Sequence, residues 1–223
     1  MPEPITFKDL PDKEVIRQAI NIATPTIKPI IYFMASRGCA RTETLNLTIG
    51  DYIDALREYT QKTNIYEVIN ELGDCKNIIP TFNIYRQKTG KYYITYCSPE
   101  AVYAINVYLL DRKDHLTEKS KLFKIGGCYF IKSFIEINNT LGLGKVGKFN
   151  RFRSHMLRKF HASALYNDGM SLDNVNDLQG KAKNKTDASY FMTNPEELNI
   201  KNQIVRKINV KEAKIIEYNR KIK

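Results

Sequence analysis

One part of this chain keeps the two-residue rhythm of a strand, and it comes as a mirrored pair. Ile78 to Tyr85 (IIPTFNIY) and Lys91 to Cys97 (KYYITYC) are rich in β-branched and aromatic residues, and the Lys88-Thr89-Gly90 between them is turn-like. The pair reads as an antiparallel hairpin. On both sides of it the apolar spacing is helical. Asp12 to Ala23 and Ile27 to Ala35 read as helices, the second capped by Thr26, and Asp51 to Tyr59 and Tyr66 to Leu72 follow. Beyond the hairpin, Ser98-Pro99-Glu100 opens an amphipathic helix to Leu110, Asp111 to Lys121 is a charged loop, and Tyr129 to Leu141 is another helix. The pattern predicts an α+β body, mostly α, in which a helical bundle carries a small antiparallel sheet. With 223 residues and 43% apolar content, the chain can bury one large core.

The chemistry collects in the last third. Gly142 to Phe149 reads as a glycine and lysine loop delivering the chain to Ser154, a good N-cap. Leu157, Phe160, Ala164 and Leu165 then keep helical spacing as far as the stop at Asp168-Gly169, which puts His155 and Arg158 in the first turns, one turn apart on one face. A helix N-terminus presents unpaired amides and positive potential, and an arginine adds a fork that fits two phosphate oxygens, so an anion is the natural guest. Ser171 caps a short helix, Leu172 to Gln179, that Gly180 ends, and Lys181, Lys183 and Lys185 make a second basic rim. Tyr190 follows, between Ser189 and Phe191 and ahead of the Asn194-Pro195 break. A free phenol titrates near about 10 and is a poor nucleophile at neutral pH unless nearby cations stabilise the developing charge.

These residues resemble the tyrosine recombinases, or phage integrases. That family carries an H-x-x-R on a helix, matched by His155 and Arg158, then a His or Trp after a Leu-x-Gly turn, where this chain has Leu178-Gln179-Gly180-Lys181, and a nucleophilic Tyr nine residues on, at Tyr190. It also uses a Lys in a hairpin turn, for which Lys88 stands here, and a Gly-x-Arg-x-x-Glu box. That box reads Gly38-Cys39-Ala40-Arg41-Thr42-Glu43, with Ala40 in the place of the family's Arg and Arg41 one residue late. Arg41 is taken as the first catalytic Arg, with Arg37 as the alternative.

The resemblance implies the tyrosine recombinase catalytic fold over residues 1–223, without the family's N-terminal core-binding domain, and a tail from about 195 to 223 that docks in cis or is exchanged between protomers. It implies that Arg41, Arg158, His155 and Lys181 hold a DNA phosphate, that Tyr190 attacks it to give a 3′-phosphotyrosine, and that Lys88 protonates the 5′ leaving oxygen, with no cofactor and no metal. It further implies a tetramer on two double-stranded DNA sites, with a monomer when free left open. Arg86, Lys91, Lys145, Lys148, Arg151, Arg153, Lys183 and Lys185 are expected contacts to the DNA backbone, which position the protein without reading sequence. Two other readings stay open: a type IB topoisomerase-like activity, with similar chemistry and strand rotation, and a catalytically weak DNA-binding relative, which Ala40 and Lys181 motivate.

Composition points to a polyanionic partner or an acidic membrane surface. The formal charge is +11 at pH 7, from 35 Lys and Arg against 24 Asp and Glu. No apolar run approaches the roughly 18 residues a bilayer requires, and the first residues, MPEPITFKDLPDKE, lack a signal-peptide pattern. A cytoplasmic, nucleoid-associated protein is expected. The four cysteines, at 39, 75, 97 and 128, form no C-x-x-C pair, and with three histidines an imidazole-built metal site is not suggested. Gly142-Leu143-Gly144-Lys145-Val146-Gly147 fits the G-x-G-x-x-G string, but the segments around it read as helices, so the strand a dinucleotide fold needs before it is missing.

Overall fold

Ile27–Arg37 (α2) is buried along nearly its whole length, and a helix that is apolar all round belongs at the centre of a body. The computed structural model describes residues 6–73, 75, 77–181 and 208. Around α2 pack Lys13–Ile22 (α1), Pro99–Asp111 (α6) and Ser154–Asn167 (α8). Ser98 caps α6 by accepting from the amide of Ala101, as its position in the sequence suggests, and Asp12 caps α1 in the same way through the amide of Val15. Gly127–Thr140 (α7) lies against α1. No described helix is long and apolar enough to cross a membrane.

The hairpin forms where its alternation places it. Thr81–Arg86 (β1) pairs antiparallel with Lys91–Tyr96 (β2), in register from Thr81 opposite Tyr96 to Arg86 opposite Lys91. Phe82 and Ile84 turn inward on β1, Tyr93 and Thr95 on β2. Phe82 meets Phe33 of α2 edge-on at 5.5 Å, which ties the sheet to the central helix. The chain doubles back at residues 87–90, with Gly90 at a φ of 64°.

Several boundaries differ from expectation for local reasons. The helix expected at Asp51 to Tyr59 is Ile49–Ala55 (α4), because Thr48 and Asp51 close a capping box ahead of it. Asn64 caps Ile65–Leu72 (α5) through its side-chain oxygen, which accepts from the amide of Tyr66 at 2.9 Å. The loop expected at Gly142 to Phe149 contains a small hairpin, Lys145–Val146 (β3) with Phe149–Asn150 (β4), too short for periodicity to reveal. Ser154 is the first residue of α8 and not its cap, since the chain leaves β4 extended through Arg153, and the carbonyl of Arg153 accepts the first helical bonds. Beyond Lys181 one residue is described: Ile208, helical and buried in the same core.

Candidate active site

Gly38 ends α2 in the left-handed region at a φ of 64°, and Ala40 is extended, so Arg41–Asn46 (α3) begins only at Arg41. Glu43 in its first turn reaches back to the amide of Ala40 at 2.8 Å. The same carboxylate accepts from the hydroxyl of Tyr93 at 2.9 Å, and it lies 3.5 Å from Arg86 Nε and 3.7 Å from Arg158 Nη1. One buried carboxylate thus faces two guanidinium groups, from β1 and from α8.

Leu172–Leu178 (α9), capped by Ser171, supplies the opposite wall. Carbonyls at a helix C-terminus lack intrahelical donors, and here the arginines provide them. Arg86 Nη1 donates to the carbonyls of Gln179 at 2.9 Å and Gly180 at 2.5 Å. Arg158 donates to Gln179 O at 2.6 Å and to Gly38 O at 2.8 Å. Gln179 returns a bond from Nε2 to the carbonyl of Arg158 at 2.9 Å. The two glycines at the edges of this network are required for space as well as for backbone angle: a Cβ on Gly38 would overlap the His161 ring, and one on Gly180, at a φ of 58°, would overlap the ring of Tyr93.

The charges at the site oppose one another. Burial lowers the pKa of Arg158, Glu43 counters it, and Arg86 lowers it further. Lys181 is lowered by desolvation, then by Arg158 and Arg86. His155, exposed in the first turn of α8, is lowered by desolvation and then by Lys159, Arg153, Arg158 and Lys181. Burial raises Tyr93, so its phenol stays protonated and donates to Glu43. Arg86, Arg158 and Lys181 therefore act on one another as like charges, and burial together with the field of the last two favours the neutral form of His155; an entering anion relieves such a field.

The other expected site residues are spread more widely. Lys88 and Lys91 are exposed on the turn and the first position of β2, and Lys145 and Lys148 on the small hairpin. Arg41 is exposed and makes no hydrogen bond or ion pair among the described residues. Arg151 is bound to the carbonyls of Lys8 and Asp9, and Arg153 donates to Asn150 O at 2.7 Å with its guanidinium over the Phe149 ring. Arg37, the alternative to Arg41, is fully buried. Tyr190, Lys183 and Lys185 lie outside the described residues.

Three members of the network carried no role in the sequence reading: Glu43 beyond its place in the box, Tyr93 and Gln179. Strand parity was the available signal for Tyr93, which shares the inward face of β2 with Thr95. Gln179 gives no such signal, because a polar residue after a helix stop is ordinarily solvated.

No family model matches the chain, and no curated protein matches it by sequence. Solved structures do match in fold. The XerA recombinase superposes with a TM-score of 0.54 at 19% identity, over 87% of this chain and 60% of that one. The XerH site-specific recombinase superposes in two forms. Its pre-cleavage complex with the difH substrate gives a TM-score of 0.55 at 20% identity, over 86% of this chain and 51% of that one. Its post-cleavage complex with a palindromic difH gives 0.51 at 19%, over 82% and 47%. The chain spans about half to three fifths of the length of these proteins. At such identities the likeness is one of fold.

Proposed function

We propose that this chain, which has the fold of a tyrosine recombinase catalytic domain, cuts and rejoins double-stranded DNA at a specific site through a covalent phosphotyrosine. The observation that carries the reading is Arg158, fixed between Glu43 and the carbonyls of Gly38 and Gln179, with Lys181 and His155 both within reach of its field. Such a fixed array acts on charge that develops at a phosphate without reorganising during the reaction.

In the proposed step the Tyr190 oxygen attacks the phosphorus in line. The new bond joins that oxygen to phosphorus, the bond from phosphorus to the 5′ oxygen breaks, and Lys88 gives the departing oxygen its proton. His155 accepts the phenol proton. Arg158 and Lys181 hold the non-bridging oxygens throughout. A 5′ hydroxyl from a partner duplex reverses the step, so the energy of the broken bond is kept in the phosphotyrosine and no nucleotide is consumed. Two DNA sites held by four copies complete the exchange, and the exposed lysines of the two hairpins bind the backbone alongside.

The test is a duplex nicked beside the cut, from which the short fragment diffuses away and traps the enzyme on DNA. The expected result is a covalent adduct with wild type and none with Tyr190→Phe. The exposed, unbonded Arg41 favours one competing reading, a DNA-binding relative without catalysis, and a wild-type protein that binds the duplex but never becomes trapped would establish that instead.

A further inference from the structure

We infer that Arg86, from the hairpin, is the second guanidinium on the scissile phosphate beside Arg158; this rests on the strand-cleavage reading. Arg86 Nη1 and Arg158 Nη2 donate to one and the same oxygen, the carbonyl of Gln179, and the two side chains flank the two oxygens of Glu43. Two forks are thereby held side by side by groups that cannot move far: a helix-end carbonyl and a carboxylate that is itself bonded to the Ala40 amide and the Tyr93 hydroxyl.

The charges leave the pair wanting an anion. One carboxylate offsets one of two guanidinium groups, and Lys181, on which both arginines act, adds to the excess. A phosphodiester presents two non-bridging oxygens and one negative charge, which two adjacent forks match in number and sign. Arg86 also keeps donors for it. A guanidinium has five N–H groups, and Arg86 Nη2 has no partner among the described residues, while the side chain retains 14% of its surface. Arg41, one residue past the box's arginine position, stands exposed at the start of α3 with no partner among the described residues that orients it. Because Arg86 closes β1 and Lys88 lies in the turn after it, a single hairpin would bring both a phosphate clamp and the proton donor.

The experiment measures the rate of covalent trapping on the nicked duplex for wild type, Arg86→Ala, Arg86→Lys and Arg41→Ala. Each is run with an ordinary phosphate and with a methylphosphonate at the cut, where a methyl group replaces one charged oxygen. Arg86→Ala is expected to slow trapping roughly a hundred- to thousandfold on the phosphate, as for removal of a preorganised donor. On the neutral methylphosphonate most of its deficit relative to wild type should vanish, which a variant that merely loosens the fold cannot mimic. Arg86→Lys, which keeps the charge without the fork, should fall between, and its urea midpoint checks folding. Arg41→Ala should lose less than Arg86→Ala.

A trapped wild-type adduct together with an Arg86→Ala rate equal to wild type, or with an Arg86→Ala deficit undiminished on the methylphosphonate, overturns the assignment and leaves the cleavage reading intact. A wild type that traps nothing overturns the reading, and the assignment with it.

Discussion

Gln179 joins Arg158 to His161: its Nε2 donates to the carbonyl of Arg158 at 2.9 Å and lies 3.2 Å from His161 Nδ1. With Nδ1 as acceptor the imidazole is neutral and carries its proton on Nε2, which is buried and has no partner among the described residues. Burial, then Arg158, Arg37 and Lys181, push the His161 pKa down to about 3.

Acid should therefore destabilise the protein through this ring. An unfolded histidine titrates near about 6.5, so as pH falls the unfolded chain takes up the proton before the folded one does. The stabilisation is complete above that value and is lost as pH drops toward the folded value, at a rate of up to about 1.4 kcal/mol per pH unit from this one group. Urea midpoints at pH 7 and pH 4.5 check it. The loss between the two should be smaller in His161→Gln than in wild type, and an equal loss would mean that the ring is not held neutral.

Gly180 tests the packing of the wall behind the arginines. Gly180 and Gly90 share a left-handed backbone, at φ 58° and 64°, but a Cβ on Gly90 comes no nearer than 3.9 Å to anything, whereas one on Gly180 would run into Tyr93. Alanine at either position costs the backbone strain, on the order of 1 kcal/mol. Gly180→Ala should cost clearly more, because the ring it displaces is anchored to Glu43. Equal costs by urea titration would show that Tyr93 can step aside.

How legible all this was depended on the range of the interaction that decides each feature. The hairpin and α8 were legible because alternation and helical spacing are written locally, as Phe82 and Ile84 or Leu157 and Phe160 record. The left-handed Gly180 stands where a stop signal was read and Gly38 opens the arginine box, yet their close approach to Tyr93 and His161 joins residues far apart in the chain. Arg86 shows the limit most plainly. Its parity with Phe82 and Ile84 could have turned it inward, but a charged residue at a strand end is usually solvated, and only α9 folding over it supplies the carbonyls that make burial tolerable. Arg151 was expected on DNA for the same reason of charge, and a 3-10 turn at Phe7–Asp9, invisible in the pattern, claims it.

That contrast predicts different salt behaviour for neighbouring cations. Each phosphate contact releases about 0.9 of a counterion, so the slope of log affinity against log salt counts contacts. Lys148→Ala, at an exposed position, should make the slope shallower by about 0.9 on duplex DNA, with stability unchanged. Arg151→Ala should lower the urea midpoint and move the slope less, since its guanidinium is spent on Lys8 and Asp9. Fluorescence anisotropy over a salt series measures the slope, and equal slope changes for the two variants would refute the distinction.

Arg37 poses the sharpest question of stability. Its guanidinium is fully buried between the rings of Phe33 and Phe82, at 4.5 and 4.2 Å, and none of its three nitrogens has a hydrogen-bond partner among the described residues. Desolvating a charge costs several kcal/mol, and two ring faces return about 2 kcal/mol each at best. The carbonyl of Arg37, which accepts from Thr95 at 3.3 Å, keeps its bond whatever the side chain. Arg37→Met fills a similar volume, retains contact with both rings through its sulfur, and removes the charge. Thermal and urea unfolding should find this variant as stable as wild type or more so. A loss of about 3 kcal/mol or more, the usual cost of stranding a buried partner, would mean that the guanidinium has a counter-charge in the folded protein, and that its burial is held by a specific ion pair and not by the two rings.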